Sequence, residues 1–146
     1  MKIYLATKEP LEGYHSLFPG QGTPPKGFTN CSVNEFPGVS ENEAEAVVVS
    51  EVLEKLDPED VEKAVAYWVS RLAHGAILCI TFRDLEETCQ QIANRRHSVA
   101  ELNEVVFANR SAHTADSLPG MLRALGLTVR SVIMDGAFCT VAAVRP

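Results

Sequence analysis

No apolar run in this 146-residue chain approaches the ~20 residues needed to cross a bilayer. The opening MKIYLATKEP breaks at Lys8-Glu9-Pro10, too soon for the apolar region of a secretory signal. A soluble protein of the cytoplasm is therefore expected. Positive charge is also short: 13 lysines and arginines against 19 acids leave a formal net charge of -6. Such a field repels phosphate backbones and anionic lipid surfaces, so neither nucleic acid nor a membrane is an expected partner. The four cysteines, Cys31, Cys79, Cys89 and Cys139, lack C-x-x-C spacing and a nearby histidine at metal-ligand spacing. They read as reduced, packed thiols, and the scattered histidines suggest no metal site. No Ser/His/Asp order marks a nucleophile. Most telling, the first apolar run, Ile3 to Ala6, leads into Thr7-Lys8-Glu9-Pro10 where a glycine-rich turn could have cradled a cofactor.

What is present is a scaffold. The length suits a single domain spanning residues 1–146, able to bury ~70% of the surface of its unfolded chain. Residues 9–30 read as loop, since Pro19-Gly20-Gln21-Gly22-Thr23-Pro24-Pro25 permits neither helix nor ladder strand. Gly20-Gln21-Gly22 is no phosphate cradle, because it joins no strand to a helix and the prolines beside it lack N–H donors. A weak strand follows at Phe28 to Val33. Ala46-Val47-Val48-Val49 is a β-branched run of the kind that marks a strand covered on both faces.

Asp57-Pro58-Glu59-Asp60 then supplies an N-cap, a proline at the first helical position and acids at the positive helix end. Val61, Ala64, Val65, Trp68 and Leu72 form one apolar stripe, with Arg71 and His74 in the last turn and Gly75 as C-cap. A second buried strand returns at Ala76 to Phe82, so the unit is βαβ with parallel strands and a right-handed crossover. Three more helices are signalled by Asp84 with Glu87, by Ser98 with Glu101, and by a start near Thr114 or Asp116. They are expected to cover a sheet face. Asp135-Gly136 between two β-rich runs predicts a closing hairpin.

These residues resemble a known family. Glu51-Val52-Leu53-Glu54-Lys55-Leu56-Asp57-Pro58, the helix ending in Arg71-Leu72-Ala73-His74-Gly75-Ala76, and Ile77-Leu78-Cys79-Ile80-Thr81-Phe82-Arg83-Asp84 are similar to the second half of class I S-adenosylmethionine-dependent methyltransferases, which read VLEHL-P and K-P-G-G-x-L-x-I-x-x-P-D there. Arg110-Ser111-Ala112-His113-Thr114 is similar to that family's H-x-S-x-F-T. Leu11-Glu12-Gly13-Tyr14 and Asn34-Glu35-Phe36-Pro37 are similar to its LEGYVNVD and LNKFP. The resemblance implies an α/β, Rossmann-like methyltransferase fold, with a mostly parallel sheet and a C-terminal antiparallel β-hairpin.

It also implies where a cofactor would lie, and the departures fall there. Ala6-Thr7-Lys8 stand in place of G-x-G-x-G, no carboxylate lies near Leu17 or Phe18 to hold a ribose, and Ser32 occupies the place of an acid that would meet adenine. Ser50 and Glu51 follow the strand that, in the family, ends beside the transferred methyl group. Glu51 reads either as a catalytic or substrate contact or as an acid opening a short helix. His113 is a general base by residue type. Arg95-Arg96-His97 and Arg110 with His113 make local basic spots.

Two functions follow from the resemblance and its gaps. In one, the chain has lost ordinary S-adenosylmethionine binding and serves as a binding or oligomeric scaffold, with a homodimer as the expected assembly. In the other, it is an active methyltransferase with an atypical cofactor site, in which Glu51 and the basic residues near Arg110 orient a small or polar substrate.

Overall fold

The computed structural model describes residues 1–146. Seven strands form one sheet: β1 Lys2–Leu5, β2 His15–Phe18, β3 Thr29–Asn30, β4 Ala44–Ser50, β5 Leu72–Arg83, β6 Thr128–Asp135 and β7 Phe138–Val144, in the order β3-β2-β1-β4-β5-β7-β6. The first five pair in parallel and the last two antiparallel. Helices α1 Pro58–Arg71, α2 Leu85–Ala93, α3 Val99–Phe107 and α4 Ser117–Ala124 occupy the second half of the chain, and Leu53–Lys55 forms a 3-10 turn.

Strand burial alternates. Ile3, Val47, Leu78 and Ala143 lie in register across four neighbouring strands, as do Leu5, Val49, Ile80 and Val141. All eight are fully buried. They meet Val61, Ala64, Val65 and Trp68 of α1 and Leu118 and Leu122 of α4 in a single core. Trp68 Nε1 donates to the Val33 carbonyl at 2.8 Å and Tyr67 Oη accepts from Phe36 N–H at 2.7 Å, which ties the irregular 31–39 segment to α1.

The opposite face has no such cover. Tyr4, Ala46, Val48, Cys79 and Ala142 are only half-buried and none packs against the core, and Ile77 on the same face is 47% exposed. The β-branched run at 46–49 is thus covered on one face, not both. Topology gives the reason. Right-handed connections that step from β1 to β2 to β3 lie on the face opposite to the one that carries β4-α1-β5, because they step across the sheet in the other direction. In this chain those two connections contain no helix.

The structure departs from five further expectations. The 9–30 segment contains β2, a four-residue strand whose Leu17 is fully buried. The weak strand at 28–33 shrinks to Thr29–Asn30. Helix α1 ends at Arg71 with Leu72, not Gly75, as its C-cap, and His74 lies in β5, because Leu72 turns into an extended conformation. The closing turn is Gly136-Ala137, one residue later than expected, since Asp135 pairs with Phe138. Of the three later helices only α4 covers the sheet. In α2 the sole buried residue is Thr88, and α3 has none.

Candidate functional site

Parallel strands end together at one edge of the sheet, and ligands of such folds bind beyond those carboxyl ends. Here a cavity of about 350 Å³ opens at the ends of β1 and β4, lined by Tyr4, Ala6, Thr7, Lys8, Glu9, Ser50 and Glu51. Five expected site residues, Ala6, Thr7, Lys8, Ser50 and Glu51, are therefore neighbours in space. Ala6 is buried and held by its N–H to the Leu17 carbonyl at 3.2 Å, while Thr7 and Lys8 are exposed.

Across this cavity Lys8 Nζ meets both carboxylate oxygens of Glu51, at 3.0 and 3.2 Å. Glu51 adopts φ +56°, a left-handed conformation that costs a non-glycine residue free energy and recurs at functional sites. Its N–H is fixed by the Thr81 carbonyl at 2.9 Å. In the structure Glu51 immediately precedes Val52, the residue that opens the 3-10 turn.

Ser32 stands apart. It is exposed, its Oγ accepts from Asn34 N–H at 3.2 Å, and it bridges Glu35, so it closes a turn and does not line the cavity. His113 is also elsewhere, buried against Phe82 with its Nε2 2.7 Å from Ser111 Oγ. Ser111 Oγ donates to the Leu53 carbonyl at 3.1 Å. Burial holds the imidazole below its ordinary pKa, so His113 ties the 110–114 loop to the 3-10 turn as a neutral group. Arg110 pairs with Asp57 at 2.7 Å and lines a different cavity from Glu51. Asp57 does not cap α1 with its side chain, being engaged by that arginine. His97 of the other basic spot pairs with Glu101 at 3.0 Å.

Glu54 was missed by reading the chain. It is 2% exposed, its Oε2 has no hydrogen-bond partner, and burial pushes its carboxyl above the ordinary range. Its backbone carbonyl accepts from Arg110 N–H at 2.8 Å, so the 3-10 turn links the two cavities. One glutamate within a mostly apolar stretch, Val52 to Leu56, was the available signal.

Strand order, parallel pairing and the antiparallel end define the class: this is an α/β, methyltransferase-like Rossmann fold. No protein-family model matches the chain, and no curated protein matches it in sequence. Among solved structures it is similar to a chain of the complex between the Haloferax volcanii Trm112 methyltransferase activator and a methyltransferase, with TM-score 0.69, 10% identity, and coverage of 99% of this chain and 81% of that one. The Burkholderia thailandensis 1,6-didemethyltoxoflavin-N1-methyltransferase, with bound 1,6-didemethyltoxoflavin and S-adenosylhomocysteine, gives TM-score 0.64 and 13% identity over 98% of this chain and 70% of that one. An O-methyltransferase family protein from the same species gives 0.61 and 16% over 81% of this chain, which spans only 35% of that protein. No helix of the chain is long and apolar enough to cross a membrane.

Proposed function

We propose that this chain keeps the methyltransferase scaffold without ordinary S-adenosylmethionine binding, and acts as an oligomeric scaffold built as a homodimer. The observation that supports the loss is the Lys8–Glu51 ion pair across the head of the cleft. A cofactor's amino-acid end needs close approach to bare backbone at the turn after β1, and Thr7 and Lys8 put side chains there. The cavity, about 350 Å³, falls at the small end of the ~300–1,000 Å³ typical of ligand sites, and only Tyr4 and Ala6 offer it apolar surface. An adenine ring would find little to rest on. The ion pair itself adds little stability, because the lysine is mostly exposed. Its effect is to fill the space and to occupy the carboxylate.

The uncovered sheet face supports the assembly. Four strands spaced ~4.8 Å apart and about six residues long present roughly 400 Å² in plan, and more as accessible area, against the ~800 Å² per partner of a stable association. Its central side chains, from Tyr4 and Val48 to Cys79 and Ala142, are uncharged, and Lys2, in register with Ala46, puts a cation at its rim. In a chain of net charge -6, this is where a second copy approaches with least repulsion. Two such faces stack at ~10 Å.

Isothermal titration calorimetry with S-adenosylmethionine and S-adenosylhomocysteine tests the loss. The expected result is no saturable heat at millimolar ligand. Binding, with a stabilisation of ~2.7 kcal/mol at 100 times its dissociation constant, would favour the alternative of an active methyltransferase with an atypical site, and the neighbour that holds S-adenosylhomocysteine shows that related folds take it.

A further inference from the structure

A second cavity, of about 470 Å³, lies between α2, α3, the end of β5 and the 109–112 loop. Leu85 and Ile92 of α2 and Val105 and Val106 of α3 form its apolar walls. Both helices are locally well specified, since Asp84 Oδ1 accepts from Glu87 N–H at 2.8 Å and Ser98 Oγ from Glu101 N–H at 3.2 Å. Yet neither contributes a residue to the core. Leu85 and Val106 remain 44% and 53% exposed. Apolar side chains on two capped helices that turn away from the core and flank a cavity are arranged to meet something else.

The charge beside them says what. Arg83 and Arg110 line the same cavity. The Arg83 guanidinium stacks over the Phe138 ring at 4.7 Å and has no carboxylate within ion-pair distance. Arg110 uses Nε for Asp57 and keeps other N–H donors free. Lys55, held by Asn109 at 2.9 Å, adds a third cation next to the cavity wall. The 3-10 turn beside them carries Glu54, whose carboxyl burial pushes up against the smaller opposing pull of Lys55 and Arg83. A planar guanidinium that keeps N–H donors free recognises carboxylate through paired, charge-assisted hydrogen bonds.

We infer that this cavity is a binding site for a small amphipathic carboxylate, whose acid meets Arg83 and Arg110 and whose apolar body fills the space between α2 and α3. Its volume suits a small molecule. The inference does not depend on the state of the Lys8–Glu51 cleft, which is a separate cavity at the ends of β1 and β4.

The test is an amide chemical-shift titration of the full chain with octanoate, octanol and octylammonium. Octanoate should give saturable shifts at Leu85, Ile92, Val105 and Val106, octanol should bind about tenfold more weakly, and octylammonium should not bind. Arg83→Met should weaken octanoate about tenfold and leave octanol unchanged. A second variant, Ile92→Trp, fills the cavity from a helix outside the core and should abolish all binding while the melting temperature holds. Three results would overturn the inference: no octanoate binding at millimolar concentration, octanol binding as tightly as octanoate, or shifts at these residues that track protein concentration, which would mean that a second copy covers the groove.

Discussion

The two halves of the sheet differ in how their strands are joined. From β4 onward, a 14-residue helix carries the chain to β5, and α4 leads into the hairpin of β6 and β7. From β1 to β3, loops do the same work without a helix, one of them built around Pro19-Gly20 and Pro24-Pro25. One topological difference therefore produces two local ones. The face that these connections would cover stays bare, and the turn after β1, where a helix would start and offer its N–H groups to a cofactor, is a lysine-bearing loop instead.

The covered face should be the costly one to disturb. Leu78→Ala, at a fully buried position, should destabilise the fold by about 2–5 kcal/mol in chemical denaturation. Ile77→Ala, its 47% exposed neighbour in β5, should cost less than about 1 kcal/mol in dilute monomer. Similar losses from both would mean that the two faces are equally packed.

The junction between the halves should respond to pH. Unfolding frees Glu54 to ionise, so the folded state, whose carboxyl is held high by burial, binds more protons than the unfolded one once pH exceeds about 4.3, and stability falls as pH rises from there. Glu54→Gln should then raise stability at neutral pH and have no effect at lower pH, where both states are protonated. His113 runs the other way. Its folded pKa is depressed by burial, so its contribution is lost as pH falls below about 6.5, and His113→Asn should flatten that acid limb. The smallest effect is expected at the cleft: Lys8→Ala should change stability by less than about 1 kcal/mol, because it removes an exposed ion pair. A larger loss would make the pair structural.

Local signals carried most of the second half of the fold into the sequence. Asp57-Pro58 marked the start of α1, the Val61 to Trp68 stripe marked its buried face, and Asp84 and Ser98 cap their helices by accepting from Glu87 and Glu101 N–H, without the reciprocal half of the box. The first half was harder to read. His15-Ser16-Leu17-Phe18 is too short to show alternation and sits inside loop chemistry, so β2 forms only because β1 offers it a ladder. The bare face was hidden because Val47-Val48-Val49 reads alike whether one side or both is covered, and only the missing crossover helices decide. In the site, Ala6, Thr7, Lys8, Ser50 and Glu51 were placed by the resemblance to the methyltransferase family, and the structure brings them to one cavity. The contact between Lys8 and Glu51, 43 residues apart, leaves no local trace. Nor does the burial of Glu54, which depends on how the 110–113 loop folds over the 3-10 turn.

The bare face is tested most directly by sedimentation equilibrium of the unmodified chain beside Val48→Lys, which sets a charge at the centre of that surface. A dimer is expected for the first and a folded monomer for the second, with matching circular dichroism. A monomer for the unmodified chain across micromolar to millimolar concentration, or a dimer that Val48→Lys leaves intact, would contradict it.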